Sequence, residues 1–252
     1  MHPAVHEPAQ NRVLGAFTSE ERDRIYPHLK LVPMPLGRVL YEPRQLLDDV
    51  FFPTNSIVSM LHISADGATA ELSVVGNEGI TGAAPFKGQT SASRVVVRSA
   101  GYAYRLGGVR LKDEFRRNGN LHLLILRHTQ ALLVQMAQTA VCNLHHSVEQ
   151  QLCRWLLLSL DRLSGNELTT TQELIASMLG VRREGINEAA SRLQRLKVIQ
   201  HHRGRITVLD RPTLELLCCE CYAAVRNETD RLLPPVPAQE RRAVPGSSAA
   251  NQ

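Results

Sequence analysis

Long apolar runs are absent from this 252-residue chain. A helix that crosses a membrane needs about 20 consecutive apolar residues, and the most apolar stretch, residues 121–141, is interrupted by His, Arg, Gln and Thr. The N-terminal segment MHPAVHEPAQ contains no apolar run of the kind found in secretory signals. We therefore expect a cytoplasmic protein that has no membrane partner.

Cysteines are few, and their spacing is not that of a metal or disulfide framework. The five are Cys142, Cys153, Cys218, Cys219 and Cys221, an odd number without a Cys-x-x-Cys pair. Because LELLCCECYAAV is otherwise apolar, we interpret its cysteines as buried small hydrophobic side chains rather than a thiol site. The histidine pairs at 145–146 and 201–202 lack a third ligand at plausible spacing. We interpret them as polar surface and predict no metal site.

Sequence signatures of catalysis are also absent. The chain has no nucleophile elbow, no HExxH and no pair of carboxylates at a spacing that indicates a catalytic acid and base. The glycine-rich GNEGITG (residues 76–82) lacks the Lys-Ser/Thr that completes a phosphate-binding loop. We therefore predict that the chain is not an enzyme, although an enzyme with a β-barrel active site is the alternative of another class.

Positive charge is concentrated in one short segment. The formal net charge is +5, and residues 180–205 carry seven basic and two acidic side chains, a surplus of the same size. The basic ones are Arg182, Arg183, Arg192, Arg195, Lys197, Arg203 and Arg205. Charge concentrated in this way next to a turn indicates a nucleic-acid partner more strongly than the total does.

The period of the apolar residues changes once along the chain. Between residue 30 and about residue 111, Pro and Gly recur between short runs such as RVLYE, SIVSMLHI and SRVVVRS, which predicts an all-β sandwich or barrel. Asp66-Gly67 predicts a hairpin turn. The later stretch LHLLILRHTQALLVQMAQTAV has a helical period with apolar residues on more than one face, among them Leu123, Leu126, Leu133, Ala137 and Ala140. A surface helix needs only one apolar stripe, so we predict a homodimer seam, with a fully buried monomer helix as the alternative. Gln130 weakens the seam.

Two short helices separated by a glycine are predicted after residue 169. Thr169-x-x-Gln172 and Thr170-x-x-Glu173 both offer capping boxes for the first, and Gly180 suits a sharp reversal at its end. The second has an inner apolar stripe of Ile186, Ala190, Leu193 and Leu196. Outside this stripe lie Arg183, Glu184, Asn187, Glu188, Ser191 and Arg195. The pattern is typical of a helix-turn-helix, whose second helix enters the major groove of DNA.

The outward residue types suit the recognition of base edges, because Arg can donate to guanine, Glu can accept from cytosine and Asn can pair with adenine. The alternatives are a solvated helix face, on which Glu184 and Glu188 would repel each other, and a face that binds protein. The next segment, VIQHHRGRITVLD, is predicted to be a hairpin that turns at Arg203-Gly204. A basic hairpin at this place is typical of a wing that contacts backbone phosphate.

From about Leu14 to Leu233 the chain resembles bacterial transcription regulators of the Crp/Fnr family. The resemblance is carried by TTTQELIASMLGVRREGINEAASRLQRLKVI and GRITVLD, by NLHHSVEQQLCRWLL, and by VVGNEGITG in the β region. It implies an α+β fold with a cyclic-nucleotide-binding-like β-roll at 12–118, a dimerisation helix at 119–142 and a winged helix-turn-helix at 143–233. Residues 234–252 are rich in Pro, Ala, Gly and Ser and are predicted to be disordered. The family also implies RNA polymerase as a partner, beside double-stranded DNA.

The resemblance assigns candidate roles to two groups of residues. The DNA-binding candidates are Thr170, Thr171, Arg182, Arg183, Glu184, Asn187, Glu188, Ser191, Arg203 and Arg205. Arg183 and Glu184 match the base-reading Arg-Glu of the family, whereas Glu188 stands where members usually have Arg, so we expect a different half-site. The effector-pocket candidates are Gly79, Ile80, Thr81, Gly82, Ser93, Arg94, Ala137 and Gln138.

The effector itself is not identified by the sequence. Cyclic-AMP-binding members have a Gly-Glu-Leu and an Arg-Ser whose guanidinium pairs with the cyclic phosphate. Here Ile80 stands at the Glu position, and the pair is displaced to Ser93-Arg94, on a strand where a one-residue shift reverses the face. Cyclic AMP is therefore disfavoured. An iron–sulfur cluster on N-terminal cysteines is disfavoured as well, since the first cysteine is Cys142.

The predicted function is that of a homodimeric transcription regulator that binds a pseudo-palindromic operator and is controlled by an unidentified effector at the β-roll. Two alternatives stay open. One is a regulator that responds to a cyclic nucleotide such as cyclic AMP. The other is a ligand-independent regulatory module that binds another protein.

Overall fold

A computed structural model of the chain describes residues 6–82 and 90–233. The segment 234–252, for which disorder was predicted, lies outside the described residues. Within the described ranges, no helix has the length and the apolar character needed to cross a membrane.

Ten strands and nine α-helices can be assigned in the described residues. The strands are β1 (Lys30–Met34), β2 (Val39–Tyr41), β3 (Asp49–Pro53), β4 (Ile57–Ile63), β5 (Thr69–Val75), β6 (Arg94–Ser99), β7 (Gly101–Gly107), β8 (Glu167–Thr169), β9 (Ile199–His202) and β10 (Arg205–Val208). The helices are α1 (Arg12–Gly15), α2 (Ser19–Ile25), α3 (Gly108–Phe115), α4 (Asn120–His145), α5 (Val148–Leu160), α6 (Gln172–Leu179), α7 (Arg183–Arg195), α8 (Arg211–Leu217) and α9 (Glu220–Leu232).

The first seven strands form two antiparallel sheets in the orders β1-β7-β3 and β2-β6-β4-β5. Alternate positions of these strands supply an apolar core between the sheets, including Met34, Phe51, Val58 and Val97. The predicted hairpin is confirmed, because Gly67 adopts a φ of +85° between β4 and β5. The predicted all-β region is therefore a β-roll.

From the sequence we expect residues 1–11 to form a loose tail. The structure contradicts this for residues 8–11, which are packed against the β-roll, and residues 1–5 lie outside the described ranges. The Asn11 side chain is fully buried and donates to the carbonyl oxygens of Pro53 at 2.9 Å and Gly79 at 2.8 Å. Its oxygen accepts from the backbone N–H groups that begin α1. A buried amide is stable when all its hydrogen-bonding groups are matched, and a hydropathy pattern cannot reveal such matching.

The start of the long helix is tied to α2 through one carboxylate. Thr18 and Glu21, three residues apart, have the spacing that predicts a capping box, and the structure confirms it: Thr18 accepts from the Glu21 backbone, and Glu21 accepts from the Thr18 N–H at 2.9 Å. The other Glu21 oxygen accepts from the Leu121 N–H at 2.7 Å. Glu21 thereby satisfies a free N–H at the start of each of the two helices.

Helix α4 has 26 residues and extends beyond the predicted end at residue 142. One face is buried against the β-roll and α9, and includes Leu121, Leu124, His128 and Gln135. The opposite face is exposed and consists of Leu123, Leu126, Gln130, Leu133, Ala137, Ala140 and Leu144.

The C-terminal domain comprises α5 to α9 and a small antiparallel sheet in the order β8-β10-β9. Strand β8 was not predicted; it pairs with β10, where Leu168 faces Ile206. The apolar core combines Leu156 of α5, Ile175 of α6, Ile186 of α7 and Val208 of β10. The two predicted helices and the hairpin therefore share one core.

Candidate nucleic-acid interface

The first helix of the turn is capped one residue later than predicted. Thr171 is its N-cap and accepts from the Leu174 N–H at 3.1 Å. The capping boxes proposed at Thr169 and Thr170 are wrong, because Thr169 belongs to β8 and Thr170 is buried with its N–H bonded to Gly204 O at 2.9 Å. Burial of Thr170 leaves Thr171 as the threonine at the rim of this surface.

The glycine turn is confirmed. Gly180 ends α6 with φ +67°, a left-handed conformation that glycine adopts without steric cost. The second helix then starts at Arg183 and buries Ile186, Ala190 and Leu193. Leu196 was predicted to continue this stripe but is half exposed. The helix ends at Arg195 and the chain reverses at Lys197 with φ +57°, which turns Leu196 away from the core.

The outward face of α7 carries most of the predicted base-reading residues. The exposed ones are Arg182, Arg183, Glu184, Glu188 and Ser191. Asn187 departs from the prediction, since it is half-buried and its Oδ1 is covered without a hydrogen-bond partner in the described part of the chain. Its amide is therefore turned partly toward the protein.

The wing has the predicted turn. Arg203 and Gly204 have φ values of +46° and +76°, the two left-handed residues that a tight two-residue hairpin requires. Both wing arginines are exposed. Arg205 forms an ion pair with Glu167 at 3.2 Å. The Thr170 N–H bond to Gly204 O fastens the wing tip to the chain just before α6.

Several arginines on this surface have no acidic partner. Within residues 6–82 and 90–233, no carboxylate lies at ion-pairing distance from Arg182, Arg183 or Arg203, whereas Arg192 pairs with Glu149 at 3.2 Å. The uncompensated charge flanks the start of α7 and the wing tip. Such an arrangement suits an extended polyanion.

Four of the predicted effector-pocket residues, at positions 79–82, form one continuous segment that is packed against its neighbours. Ile80 and Thr81 are buried, and Thr81 exchanges two backbone hydrogen bonds with Phe51, both at 2.9 Å. The His128 Nε2 lies 2.9 Å from Ile80 O, and a Cβ at Gly79 would collide with the His128 ring. Gly82 has φ +81° and continues into residues 83–89, outside the described ranges.

The other four effector-pocket candidates lie in different surroundings. Ser93 is buried beside Ser91, and Arg94 donates to Glu42 at 2.9 Å. Ala137 is on the exposed stripe of α4, and Gln138 is half-buried. Because Arg94 already has a carboxylate partner, it is not a free guanidinium that awaits a phosphate.

Comparison with known proteins agrees with this geometry. Residues 150–217 match the family described as the Crp-like helix-turn-helix domain. A structure described as a Crp/Fnr-family transcriptional regulator from Eubacterium rectale aligns with a TM-score of 0.64 at 15% identity, over 81% of this chain and 96% of that one. FixK2 from Bradyrhizobium japonicum gives 0.63 at 13% identity, over 76% and 98%. The CRP-family regulator TTHB099 from Thermus thermophilus gives 0.61 at 16% identity, over 75% and 95%.

Residues 150–217 are therefore a Crp-like helix-turn-helix domain, and the chain as a whole shares the fold of these Crp/Fnr-type regulators. The α+β fold with β-roll, long helix and C-terminal helix-turn-helix is the one that the sequence predicted. No curated protein matches the chain in sequence.

Two buried arginines, each held by an ion pair, connect the β-roll of this fold with the C-terminal domain, and neither connection was predicted from the sequence. Arg98 of β6 pairs with Glu71 at 2.8 Å and donates to Ser159 Oγ of α5 at 2.6 Å. Its guanidinium lies 4.4 Å from the centre of the Trp155 ring. Burial lowers the pKa of Arg98 from its ordinary value, while the Glu71 carboxylate opposes that effect.

The second pair links Arg162, just after α5, to Glu78 at 2.7 Å. Close approach is possible because residue 76 is glycine: a Cβ there would lie 2.8 Å from the Arg162 Cβ. No local pattern identifies these partners, which are 27 and 84 residues apart in the chain.

Cys219 and Cys221 are buried, as expected, but they belong to a cluster of potential metal ligands that the sequence did not predict. The ligand atoms of Cys142, His146, Cys219 and Cys221 all lie within 4.8 Å of one another. His146 is thus not merely polar surface, since only 14% of its side chain is exposed. Of the two cysteines outside the cluster, Cys153 is buried in the core of the C-terminal domain and Cys218 is half-buried against that core.

Proposed function

We propose that the chain is a homodimeric regulator that reads a pseudo-palindromic operator through α7, holds DNA phosphate with its wing, and receives a signal through the β-roll. The observation that carries this proposal is the exposed Arg183-Glu184 start of α7, which follows the Gly180 turn, together with the exposed arginines of the wing. In a helix-turn-helix the early residues of the second helix contact base edges.

Arg183 and Glu184 are the residues to which we assign base reading. Both are exposed in the first turn of α7, and Arg183 has no acidic partner in the described residues. A free guanidinium can donate two hydrogen bonds to guanine O6 and N7. The neighbouring Arg182 and the wing-tip Arg203 are suited to phosphate, which positions the protein without reading sequence.

The exposed stripe of α4 supports a dimer. Its members, Leu123, Leu126, Gln130, Leu133, Ala137, Ala140 and Leu144, follow one another at alternating steps of three and four residues. This is the spacing of a two-helix coiled-coil seam. Leaving four leucines of one helix face in water is unfavourable, and pairing with a second copy of the helix would bury them. Two-fold symmetry then implies two half-sites about one helical turn of DNA apart.

Control by an effector is proposed through the interface between the β-roll and α5. The buried contacts of Arg98 with Ser159 and of Arg162 with Glu78 connect the β-roll to the helix that carries the DNA-binding core. A ligand that favours one arrangement of this interface would shift the orientation of α7. The Arg94–Glu42 pair argues against cyclic AMP as that ligand.

The test starts with the full chain and random double-stranded DNA, from which binding sites are selected. We expect an inverted repeat, and affinity that falls steeply with salt because phosphate contacts release counterions. Arg183→Ala should cost about 1–3 kcal/mol of binding and relax the preference at one base position. Titrations over single-base variants of the selected operator measure both effects.

The matched control is Arg203→Ala at the wing tip, chosen over Arg205 because Arg205 already pairs with Glu167. It should weaken binding to all sequences alike and lower the salt slope by about one. If both variants lose the same affinity on every DNA, the assignment of base reading to Arg183 is wrong. If no sequence is enriched and binding is insensitive to salt, the proposal of an operator fails.

A further inference from the structure

The fold brings together four side chains that the sequence separates into two groups. Cys142 lies in the last turn of α4 and His146 is the C-cap that follows it, whereas Cys219 and Cys221 are the N-cap and second residue of α9. The two groups are 77 residues apart at Cys142 and Cys219, yet their sulfur atoms lie 3.6 Å from each other. Three of the four are almost completely buried.

The distances fit one ion bound by four ligands. A zinc ion sits about 2.3 Å from thiolate sulfur, so two sulfurs of a tetrahedral site are about 3.8 Å apart. The Cys142–Cys219 sulfur pair is separated by 3.6 Å, and Cys221 Sγ lies 3.6 Å from His146 Nδ1. All the ligand atoms stay within 4.8 Å. A cluster of several iron atoms would hold its ligands further apart than one ion does.

The histidine is oriented by a carboxylate, as metal-binding histidines commonly are. His146 Nε2 lies 3.3 Å from Glu220 Oε1, so an Nε2–H can donate to the carboxylate. That tautomer leaves the lone pair of Nδ1 free on the side where Cys221 Sγ lies 3.6 Å away. A carboxylate on the second ring nitrogen raises the basicity of the ligand and fixes the ring.

The local charge also suits a site with three thiolates. One divalent cation bound by three thiolates and a neutral imidazole carries a net charge of −1, and the three thiol protons pass to solvent. Arg154 is buried and its positive charge acts on Cys142 and Cys221. The Arg154 Nε has no hydrogen-bond partner in the described residues. A buried cation next to the cysteines would compensate the anionic site.

We propose that Cys142, His146, Cys219 and Cys221 bind one Zn²⁺ ion, which fastens the start of α9 to the end of α4. The site has four protein ligands and therefore no open position, the arrangement of structural rather than catalytic zinc. It lies next to Ser147, the N-cap of α5, where the long helix passes into the C-terminal domain. The ion would thus hold the joint between these two parts, independently of whether the chain binds DNA.

The experiment measures metal in the full-length chain, purified under reducing conditions and then freed of metal with a chelator. Titration with Zn²⁺ should saturate at one equivalent per chain and raise the Tm. Titration with Co²⁺ should give thiolate-to-cobalt charge-transfer absorption and the intense visible bands of tetrahedral cobalt. Cys219→Ser and His146→Ala should each lower zinc affinity at least tenfold in competition with a chromogenic chelator.

Two matched controls separate ligation from folding. His145→Ala removes the adjacent exposed histidine, and Cys153→Ala removes a buried cysteine outside the cluster; both should keep one equivalent of zinc. Circular dichroism of each variant shows whether the helices persist. A cobalt spectrum that is unchanged in folded Cys219→Ser would overturn the proposal. The proposal also fails if the reduced chain binds less than a tenth of an equivalent of zinc. It fails equally if the purified chain contains a Cys142–Cys219 disulfide instead of the metal, or iron together with inorganic sulfide.

Discussion

At the scale of single residues, Gly185 is the least expected member of α7, because glycine inside a helix costs about 1 kcal/mol relative to alanine. The structure offers no steric reason for it: a Cβ there would meet only Val148, at 3.7 Å, an ordinary contact distance. That contact also shows that the missing side chain would point toward the protein itself. A close approach to DNA is therefore not what the glycine provides.

We expect Gly185→Ala to raise the free energy of unfolding by up to about 1 kcal/mol and to leave DNA affinity unchanged. Chemical denaturation and gel-shift titration measure the two quantities. Gly76→Ala serves as the contrasting control, since its Cβ would collide with Arg162 and should destabilise the fold. A loss of DNA affinity in a stabilised Gly185→Ala would show that the backbone here does contact DNA.

His128 is a second residue with a measurable signature. Burial lowers its pKa below the usual 6.5, with Glu78 opposing this effect and Arg162 adding to it. The unfolded chain therefore takes up a proton on this residue at a higher pH than the folded chain does. Its contribution to stability is complete above about pH 6.5 and is lost as the pH falls below that value, by at most about 1.4 kcal/mol per pH unit.

His128→Gln should remove this part of the pH dependence, because glutamine can still donate to Ile80 O but does not titrate. Denaturation curves between pH 5 and 8, a range set by the ordinary titration of histidine, provide the comparison. His145→Gln, at the exposed end of the same helix, is the control and should leave the slope as it is. An unchanged slope in His128→Gln would contradict the neutral, buried state of His128.

At the scale of elements, the exposed stripe of α4 makes a prediction about assembly. Leu133→Asp places a charge in the middle of the proposed seam, where pairing would bury it without a partner. We expect the variant to sediment as a folded monomer under conditions in which the parent chain is a dimer. Leu216→Asp, on an exposed leucine of α8, should keep the parent's state. Dimers of undiminished strength in Leu133→Asp would place the interface elsewhere.

Elements were predictable from sequence where local pattern decides them. The β-roll, the Gly180 turn, the wing and the Thr18 capping box all follow from short-range rules, and the structure confirms them. Leu196 was misassigned because helical periodicity does not show where a helix ends, here at a positive φ of Lys197. Strand β8 was missed because three residues carry too little alternation to identify a strand.

The same distinction, between features set by local pattern and features set by the fold, applies to the candidate sites. Exposure of Arg183 and Glu184 was predictable, since it depends on the phase of a single helix. The buried Arg98–Glu71 pair was not, because it joins segments distant in the chain. The four-ligand cluster was not predictable for the same reason: each half shows only a Cys-x-x-x-His or a Cys-x-Cys, and the fold alone brings the halves together.

At the scale of the whole molecule, the buried Glu78–Arg162 pair links the β-roll to the C-terminal domain. Both side chains are less than a tenth exposed. Removing one partner of such a pair leaves an uncompensated buried charge, which typically costs about 3–5 kcal/mol. Glu78→Gln keeps the shape of the side chain and should lower the free energy of unfolding by an amount approaching that range.

The matched control is Glu42→Gln, which breaks the exposed pair with Arg94 and should cost no more than about 1 kcal/mol. Calorimetry shows how the loss of stability in Glu78→Gln is distributed between the β-roll and the C-terminal domain. Because the pair lies between the two parts of the molecule, we expect Glu78→Gln to separate one unfolding transition into two, with the C-terminal domain and the β-roll melting apart. A single transition lowered no further than that of Glu42→Gln would show that the apolar contacts alone couple the domains, and that a signal in the β-roll does not need this pair to reach α5.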